Sequence, residues 1–471
     1  MAGFAAAVGR HDMTRRVGPR RHRAPPLAPA FRAACRSGAA AGAIETLYSG
    51  EQSMTDLKRR SVLVGAAAGA VALGAAAAAK AAEFGNPDMP AQGAINSTPI
   101  AISDPGPQSP QLRGALPSFS NPPATDVGGM PIPWASFNLA HKRIQAGGWA
   151  REVTTKAFPV SKDIAGVNMR LGPGGVRELH WHQQAEWAIM VSGQVRITTI
   201  DTKGRAEVAD VQSGDIWYFP PGLPHSLQGL GDNGGEFVLA FDNGAAGEFN
   251  TLMLSDWLAH TPPEILAQNF GVPAEKFKEI PLEQLWIYQG AKAGPLAADQ
   301  AYAASPDGRP DHPFVFRMSA MAPTRSTAGG EVRIVDSHNF PVSRTVAAAL
   351  VTVKPGGLRE LHWHPDNDEW QYFIKGTGRM TVFNTGPAAQ TVDFSPGDVG
   401  YVEKNLGHYI KNTGKEDLMF LEIFKSDHFA EVTLSQWLAG VPRQLLREHL
   451  RVDDETLDAI HDLKRRRDVI A

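Results

Sequence analysis

Cysteine is the scarcest residue of this 471-residue chain, which contains only one, Cys35. The residues that follow it cannot form disulfides, thiolate-bound metal sites or cysteine nucleophiles. A body without thiols also enters an oxidising compartment unharmed. Any metal bound there must be held by nitrogen and oxygen donors.

Positive charge is also scarce over residues 83–471, which contain 34 Lys and Arg against 45 Asp and Glu. An acidic body repels the phosphate backbone, so nucleic acid is excluded as a partner. The first 82 residues are different, because 12 Lys and Arg stand there against 4 Asp and Glu, among long alanine runs. The chain therefore divides into a basic, alanine-rich first part and an acidic body.

The first part lacks a strongly apolar membrane span. Its apolar run from Val62 to Ala79 is mostly Ala and Gly, which insert into a bilayer more weakly than Leu, Ile or Phe. The basic sequence Lys58-Arg59-Arg60-Ser61 precedes this run, and small residues follow it. We interpret residues 54–82 as a cleaved twin-arginine export signal rather than a transmembrane anchor. This predicts a periplasmic or secreted protein with no stable membrane anchor.

Two segments flank that predicted signal. Residues 1–53 would bury it inside the chain, so either Met54 is the true start or these residues are a disordered leader. Residues 83–140 are rich in Pro, Ser, Gly and Asn without a sustained period, which predicts an extended N-terminal arm.

The remaining sequence alternates short apolar runs with turn residues at intervals of about eight to twelve residues. The pattern covers residues 141–310 and starts again over residues 311–471, with His362 matching His180 at a separation of 182. Helical spacing follows the strands of each half. We predict an all-β fold of two tandem barrels or jelly rolls, with small flanking helices and helices at the C-terminus.

Each half contains three histidines and one glutamate that are suited to hold a metal ion. Alternate residues of a strand share a face, so the two histidines of each His-Trp-His sequence point the same way. A single His-x-His is weak evidence, but its duplication with a following glutamate and a later histidine strengthens it. The predicted ligands are His180, His182, Glu186, His225, His362, His364, Glu369 and His408. Imidazole and carboxylate alone leave Mn, Fe, Zn, Ni and Cu open.

These residues and the surrounding glycines resemble the two cupin motifs, once in each half. The resemblance implies two tandem cupin barrels of the double-stranded β-helix, or jelly-roll, type. One departure is that Glu403 and Asn405 stand where the motif usually has Pro and Gly, as at Pro220 and Gly222.

A closer resemblance is to the bicupin oxalate decarboxylases, from about Pro133 to His449. It depends on Arg-Glu-Leu-His-Trp-His in both halves and on the sequence Trp217 to Ser226. The resemblance implies manganese in each barrel, dioxygen as a catalytic cofactor, and conversion of oxalate to formate and carbon dioxide. It also implies a hexamer of two stacked trimers and an arm that packs with the second barrel.

The family's catalytic residues map onto four positions of this sequence. Arg177 and Arg359 match arginines beside the metals, although strict alternation would turn Arg177 away from His180, so a bulge or twist must bring it inward. Glu248, in the sequence Gly247 to Asn250, matches a proton-donating glutamate on a mobile lid over the first metal. Glu422 matches a glutamate near the second metal. The resemblance favours the first barrel as the main catalytic site.

Two other functions stay open at this point. A bicupin oxalate oxidase would make hydrogen peroxide and carbon dioxide, because it lacks a placed proton donor. A storage or binding protein with structural metals would turn over no small carboxylate.

Overall fold

The computed structural model describes residues 109–386, 388–465 and 467–471. The predicted leader at 1–53 and export signal at 54–82 lie outside the described residues, as does the first part of the arm. Among the described residues, no helix has the length and apolar character needed to cross a bilayer.

The first half is built from short strands that lead into a few short helices. Its strands are β1 (Trp134–Ser136), β2 (Arg143–Gln145), β3 (Gly148–Val153), β4 (Ala165–Leu171), β5 (Gly175–Trp181), β6 (Glu186–Ile200), β7 (Ala206–Gln212), β8 (Ile216–Phe219), β9 (His225–Gly229), β10 (Gly235–Phe241), β11 (Leu252–Met253), β12 (Ile287–Gln289) and β13 (Val315–Phe316). Its helices are α1 (Pro110–Ala115), α2 (Pro117–Ser120), α3 (Leu254–Ala259), α4 (Pro263–Phe270) and α5 (Leu296–Tyr302).

The second half repeats this order. Its strands are β14 (Arg325–Thr327), β15 (Gly330–Val335), β16 (Ala347–Val353), β17 (Leu358–Trp363), β18 (Glu369–Lys375), β19 (Gly378–Asn384), β20 (Ala388–Phe394), β21 (Asp398–Val402), β22 (Gly407–Asn412), β23 (Leu418–Phe424), β24 (Val432–Thr433) and β25 (Val469–Ile470). Its helices are α6 (Leu434–Ala439), α7 (Arg443–Leu450) and α8 (Asp454–His461). The prediction of a duplicated all-β fold with small helices is confirmed.

The two barrels differ in how their sheets join. The first barrel is one sheet of twelve strands, because β6 pairs with β8 and β10 near its start and with β7 and β9 near its end. In the second barrel the equivalent strand is broken after Lys375 into β18 and β19. Two sheets of seven and six strands result, and the second includes β25.

The segment before the first barrel contributes a strand to the second barrel, and the segment before the second barrel contributes a strand to the first. Strand β1, from the N-terminal arm, pairs with β21 of the second barrel, as the resemblance implied. Strand β13 pairs with β8 of the first barrel, although it lies beyond residue 310, where the first barrel was predicted to end. The domain boundaries remain predictions, and this exchange connects the two barrels.

Strand alternation divides the side chains between the barrel interiors and the contact between the barrels. Along β6, Trp187 and Ile189 belong to the apolar cluster shared with the second barrel, whereas Ala188 and Met190 pack inside the first barrel. Glu186 has the same parity as Ala188, so it also points inward. The strand period therefore turns the predicted ligand into the barrel.

Candidate metal centres and active site

Strands β5, β6 and β9 bring the four predicted ligands of the first barrel together, and β17, β18 and β22 do the same in the second. Antiparallel pairing sets His180 opposite His225 and His362 opposite His408. The ligand atoms of each group lie within 4.8 Å of one another, and all eight side chains are buried. Donors around an ion bound at about 2.1 Å lie roughly 3 to 4 Å apart, so each group is compact enough for one ion.

All six histidines are oriented in the same way. Each Nδ1 atom faces a backbone carbonyl oxygen at a distance between 2.5 and 3.0 Å. A carbonyl only accepts hydrogen bonds, so Nδ1 carries the proton and Nε2 keeps a lone pair. This arrangement leaves Nε2 as the metal-binding atom in every case.

One oxygen of each ligand carboxylate is already engaged by a neighbouring side chain. The Trp217 indole Nε1 donates to Glu186 Oε1 over 2.9 Å, and the Gln371 amide donates to Glu369 Oε1 over 2.8 Å. These contacts fix the carboxylate planes and leave Oε2 for a metal.

The buried atoms that remain without a hydrogen bond are the ones a metal would satisfy. Nε2 of His225, His362, His364 and His408 and Oε2 of Glu369 are buried without an aligned hydrogen-bond partner among the described residues. Glu369 Oε2 lies 2.8 Å from His408 Nε2, yet the contact lacks hydrogen-bond alignment. Five such atoms would be costly unless an ion lies between them, so the donor set fits a divalent metal.

The surroundings of His180, His362 and Glu186 favour the protonation states that metal binding requires. Burial lowers the pKa of His180 and His362 well below the usual value, aided by neighbouring cationic groups. Burial opposes ionisation of Glu186, but the adjacent His182 and His225 side chains hold its pKa well below the usual value. Neutral imidazoles and an ionised carboxylate are the forms that bind metal.

A bulge turns an arginine into each barrel, and for Arg177 the resemblance required such a bulge or twist. Between Arg177 and His180 strand β5 advances three residues while β9 advances two, and the register shifts between Arg359 and His362 in the same way. The extra residue reverses the alternation, so Arg177 and Arg359 are buried instead of facing solvent.

The hydrogen-bond acceptors of Arg177 are neutral groups. Its guanidinium donates to the Trp286 carbonyl oxygen over 3.4 Å and to Thr251 Oγ1 over 3.3 Å, and it lies 5.2 Å from the Trp286 ring centre. Among the described residues, no carboxylate forms an ion pair with it. Burial lowers the pKa of Arg177 to about 10. The first barrel thus contains a buried cation without a direct ion-pair partner among the described residues, although the carboxylates of Glu248 and Glu186 lie in the same pocket.

Arg359, in contrast, is neutralised by two carboxylates. Its Nε donates to Glu422 Oε1 over 3.0 Å, and its Nη2 pairs with Glu431. Burial opposes the charge of Arg359, but these two carboxylates outweigh it and raise its pKa well above the usual value. Burial raises the pKa of Glu422 to about 7.

Glu248 lies in a 3-10 turn, Glu248–Asn250, that covers the first barrel. Its side chain is only 4% exposed and pairs with Arg143, and its N–H donates to Glu152 Oε2 over 3.1 Å. It lines one pocket together with Arg177, His180, Glu186, Thr251 and apolar side chains. Two predicted ligands and the first barrel's two predicted catalytic residues therefore share a pocket.

Several residues of this environment were missed from the sequence. Glu178 accepts hydrogen bonds from Ser255 and from the Trp286 N–H, and Glu360 does the same for Ser435 and the Asp468 N–H. The glutamate of Arg-Glu-Leu-His-Trp-His recurs in both halves, and this repetition could have identified Glu178 and Glu360. Arg143, Glu152 and Glu431 had no local motif.

The tryptophans between the ligand histidines point away from the centres, because neighbouring strand residues face opposite sides. Trp181 packs edge-to-face on Trp257 at 5.4 Å, and Trp363 packs on Trp437 at 5.7 Å. Both pairs lie on the outer faces of the barrels.

In the second barrel's loop the departure from the cupin motif is accommodated locally. Asn405 adopts φ 67° where the first barrel has Gly222 at φ 78°, and asparagine tolerates that conformation. Both residues donate their N–H to the carbonyl of the second histidine, His364 or His182, over 2.9 Å.

Comparison with known proteins agrees with this geometry. The cupin family model matches residues 137–278 and 317–458. Oxalate decarboxylase OxdC of Bacillus subtilis is 48% identical over 344 residues, which is 73% of this chain and 88% of that protein. A probable oxalate decarboxylase of Arthroderma benhamiae is 40% identical over 348 residues, 72% of this chain and 83% of that protein.

A solved structure that concerns the Mn(II) centres of Bacillus subtilis oxalate decarboxylase superposes with a TM-score of 0.76 at 46% identity. The superposition covers 78% of this chain and 96% of that one. The shared fold, the duplicated motif and the level of identity lead to one assignment. This chain belongs to the cupin family and, within it, to the bicupin oxalate decarboxylases.

Proposed function

We propose that this protein is a manganese-dependent oxalate decarboxylase that converts oxalate to formate and carbon dioxide, with dioxygen as a catalytic cofactor. One observation carries the proposal. A single pocket of the first barrel contains metal ligands, Arg177 and the buried carboxylate of Glu248. Overall, the hydrogenoxalate anion gives its proton to the Glu248 carboxylate, loses carbon dioxide as the dianion, and receives that proton back on the remaining carbon, so formate is released and atoms and charge balance.

Each barrel holds one manganese ion, so the chain binds two. The ligands are His180, His182, Glu186 and His225 in the first barrel and His362, His364, Glu369 and His408 in the second. Four protein donors leave coordination positions open on a six-coordinate ion. Manganese there supplies Lewis acidity and one-electron redox chemistry, which weakens the carbon–carbon bond of oxalate.

Arg177 binds and orients the substrate carboxylate. A guanidinium pairs with a carboxylate through two parallel hydrogen bonds, and such bonds are strongest where water is excluded. Because its present partners are a hydroxyl and a carbonyl, the cation is available to an anion. Arg177 would therefore hold the oxalate dianion beside the metal ligands. It would also polarise the carboxylate that becomes formate.

Glu248 delivers the proton that formate requires. A positioned acid must lie within hydrogen-bond reach of the reacting carbon. Glu248 lines the same pocket as Arg177, whereas the pocket's other carboxylate, Glu186, is a metal ligand. This proton delivery separates a decarboxylase from an oxidase.

The second barrel has a supporting role in this proposal. Arg359 already forms ion pairs with Glu422 and Glu431, so its guanidinium is not available to a substrate carboxylate. A dianion would have to displace these two carboxylates, whose like charge opposes its binding. Arg359 and Glu422 would instead set the polarity around the second metal, and the first barrel would be the main catalytic site.

One experiment tests the function against its two alternatives. Protein of known metal content is incubated with oxalate, with and without dioxygen, and formate, carbon dioxide and hydrogen peroxide are measured together. A decarboxylase gives formate with little peroxide and requires dioxygen. Peroxide without formate would identify an oxidase, and no turnover with full manganese would identify a storage or binding protein.

We also propose that the protein is a hexamer of two stacked trimers. Matching apolar residues are exposed on the outer faces of both barrels, including Leu179 and Trp257 in the first and Leu361 and Trp437 in the second. A contact between two different faces closes into a ring when repeated. Light scattering of the purified protein should give six times the chain mass, and a monomer would refute the proposal.

Export is proposed from the sequence alone. The twin-arginine signal would send the folded, metal-loaded protein to the periplasm or out of the cell, with no stable membrane anchor. Replacing Arg59 and Arg60 by lysine should retain the protein in the cytoplasm, as measured by cell fractionation. Unchanged export would refute the twin-arginine route.

A further inference from the structure

We infer that Arg143 is a positioning residue, which holds Glu248 over the first-barrel pocket and keeps the lid, residues 247–250, closed. The inference rests on the proposed function only for its catalytic consequence. Arg143 Nε donates to Glu248 Oε1 over 3.2 Å, and Nη2 pairs with Oε2. A guanidinium that binds both oxygens fixes the orientation of a carboxylate as well as its place.

Arg143 is itself held rigidly on the barrel. Its Nη1 donates to Gln145, whose Oε1 also accepts the N–H of Ile287 over 3.1 Å. Its guanidinium lies 4.5 Å from the centre of the Trp286 ring. The Trp286 N–H donates to Glu178 over 2.7 Å, so the same strand that carries His180 supports Arg143. The ion pair therefore connects the lid to a rigid part of the first barrel.

The lid adds a second contact through Phe249. Its ring packs edge-to-face on Trp286 with the ring centres 5.2 Å apart, although the side chain is 64% exposed. An exposed aromatic residue contributes little to the core, so this contact serves mainly to hold the lid. Gly247 allows the close approach of Glu152, because a Cβ atom there would lie 2.4 Å from the Glu152 carboxylate.

The second barrel supplies a matched control within the same chain. Arg325 of β14 lies 182 residues after Arg143 of β2, and both strands pair antiparallel with the next strand. Arg325 forms its ion pair with Asp468, at 2.6 Å, rather than with a lid glutamate. At equivalent positions, Arg325 therefore stabilises the second barrel itself, whereas Arg143 holds the lid of the first barrel.

The expected consequence is a change in the products rather than in folding. With the ion pair intact, the closed lid keeps the proton donor beside the reacting carbon and excludes water. Without it the lid opens more often, and the unprotonated intermediate is oxidised to a second carbon dioxide with dioxygen reduced to peroxide. Arg143 does not line the pocket, so substrate binding should change less than turnover.

The test compares Arg143→Gln, Arg143→Lys and Phe249→Ala with Arg325→Gln at equal manganese content. We expect the formate-to-peroxide ratio to fall about tenfold in Arg143→Gln, with kcat falling more than KM rises. Arg143→Lys should recover part of the ratio, Phe249→Ala should lower it about threefold, and Arg325→Gln should leave it unchanged. An unchanged ratio in Arg143→Gln, or an equal fall in Arg325→Gln, would overturn the inference.

Hydrogen exchange gives a readout that does not depend on activity. The Glu248 and Asn250 amides should exchange about tenfold faster in Arg143→Gln than in the unmodified protein, because the lid opens more often. Amides of β5 should exchange at the same rate in both. If the unmodified protein makes no formate, the proposed function fails, while lid exchange still decides the role of Arg143. If Arg143→Gln does not fold, Phe249→Ala and Arg143→Lys decide it.

Discussion

The two barrels of this chain contain the same metal-binding groups but place different charges around them. In the first, the buried Arg177 is bounded by Thr251 and the Trp286 carbonyl. In the second, Arg359 is bounded by Glu422 and Glu431. Leu239 occupies the strand position that Glu422 occupies after duplication, and Thr251 directly precedes β11 as Glu431 precedes β24.

This difference shows that duplication preserved the ligands while the neighbouring residues diverged. In the first barrel, the neutral Leu239 and Thr251 leave Arg177 available to an anionic substrate. In the second barrel, Glu422 and Glu431 form ion pairs with Arg359. The first barrel also has a longer connection between its last barrel strand and the following short strand, residues 242–251 against 425–431. Those additional residues make room for the lid that carries Glu248.

Loss of the first metal should have the largest effect. His180→Ala should lower manganese from two ions per chain to one and reduce formate production more than about a thousandfold, because the metal supplies the redox chemistry. Elemental analysis and formate assays measure both. The control, His362→Ala, should also lose one ion yet keep most of its activity. Equal inactivation by the two changes would mean that both barrels are catalytic.

Removal of the proton donor comes next. Glu248→Gln keeps the shape of the side chain but cannot supply the proton, so formate production should fall about a hundredfold to a thousandfold. Metal content and thermal stability should stay the same. Glu431→Gln removes a buried carboxylate of the second barrel instead and should affect formate far less. Formate yield that survives Glu248→Gln would move the chemistry to the second barrel.

Copying the second barrel's charge into the first should weaken substrate binding. Thr251→Glu places a carboxylate beside Arg177, so KM for oxalate should rise about tenfold as the cation is neutralised. Thr251→Gln, of similar size without the charge, is the control. Equal KM values for the two variants would show that the size of the residue matters rather than its charge.

The smallest effect concerns stability and pH in the metal-free protein. Burial raises the pKa of Glu422 to about 7. Between the usual carboxyl pKa and about 7, the folded protein therefore binds more protons than the unfolded chain, and stability falls as pH rises through this range. Glu422→Gln should reduce this decrease in the free energy of unfolding by up to about 3 kcal/mol.

Urea unfolding midpoints at pH 5 and pH 7.5 measure this difference. Leu239→Gln in the first barrel is the control, because it changes no titrating group and should leave the pH dependence as it is. A Glu422→Gln protein with the same pH dependence as the unmodified one would contradict the prediction.

Much of the site could be predicted from the sequence because it depends on local rules. Strand alternation turns the two histidines of each His-Trp-His inward, and the repeat at 182 residues separates this pattern from chance. The bulge after Arg177 was expected only because the resemblance required an inward arginine. No local feature of Arg-Glu-Leu-His marks a bulge, which arises from how β5 and β9 pair.

The exchange of β1 and β13 between the barrels shows a similar limit. Each strand has only two or three residues and too weak a pattern to name its partner. The arm's association with the second barrel was implied by resemblance, but the return contribution of β13 to the first barrel was not predicted. Pairing between distant segments depends on the whole packed core.

By itself, the amino-acid sequence determined the two ligand sets, the duplicated all-β fold and the absence of thiol chemistry. These follow from periodicity, spacing and composition, which are properties of neighbouring residues. Only the tertiary structure decided which arginine is free to bind an anion and that Arg143 holds the lid. The partners of Arg177, Arg359 and Arg143 lie on strands and loops far apart in the chain, and their charges act together only because folding buries them side by side.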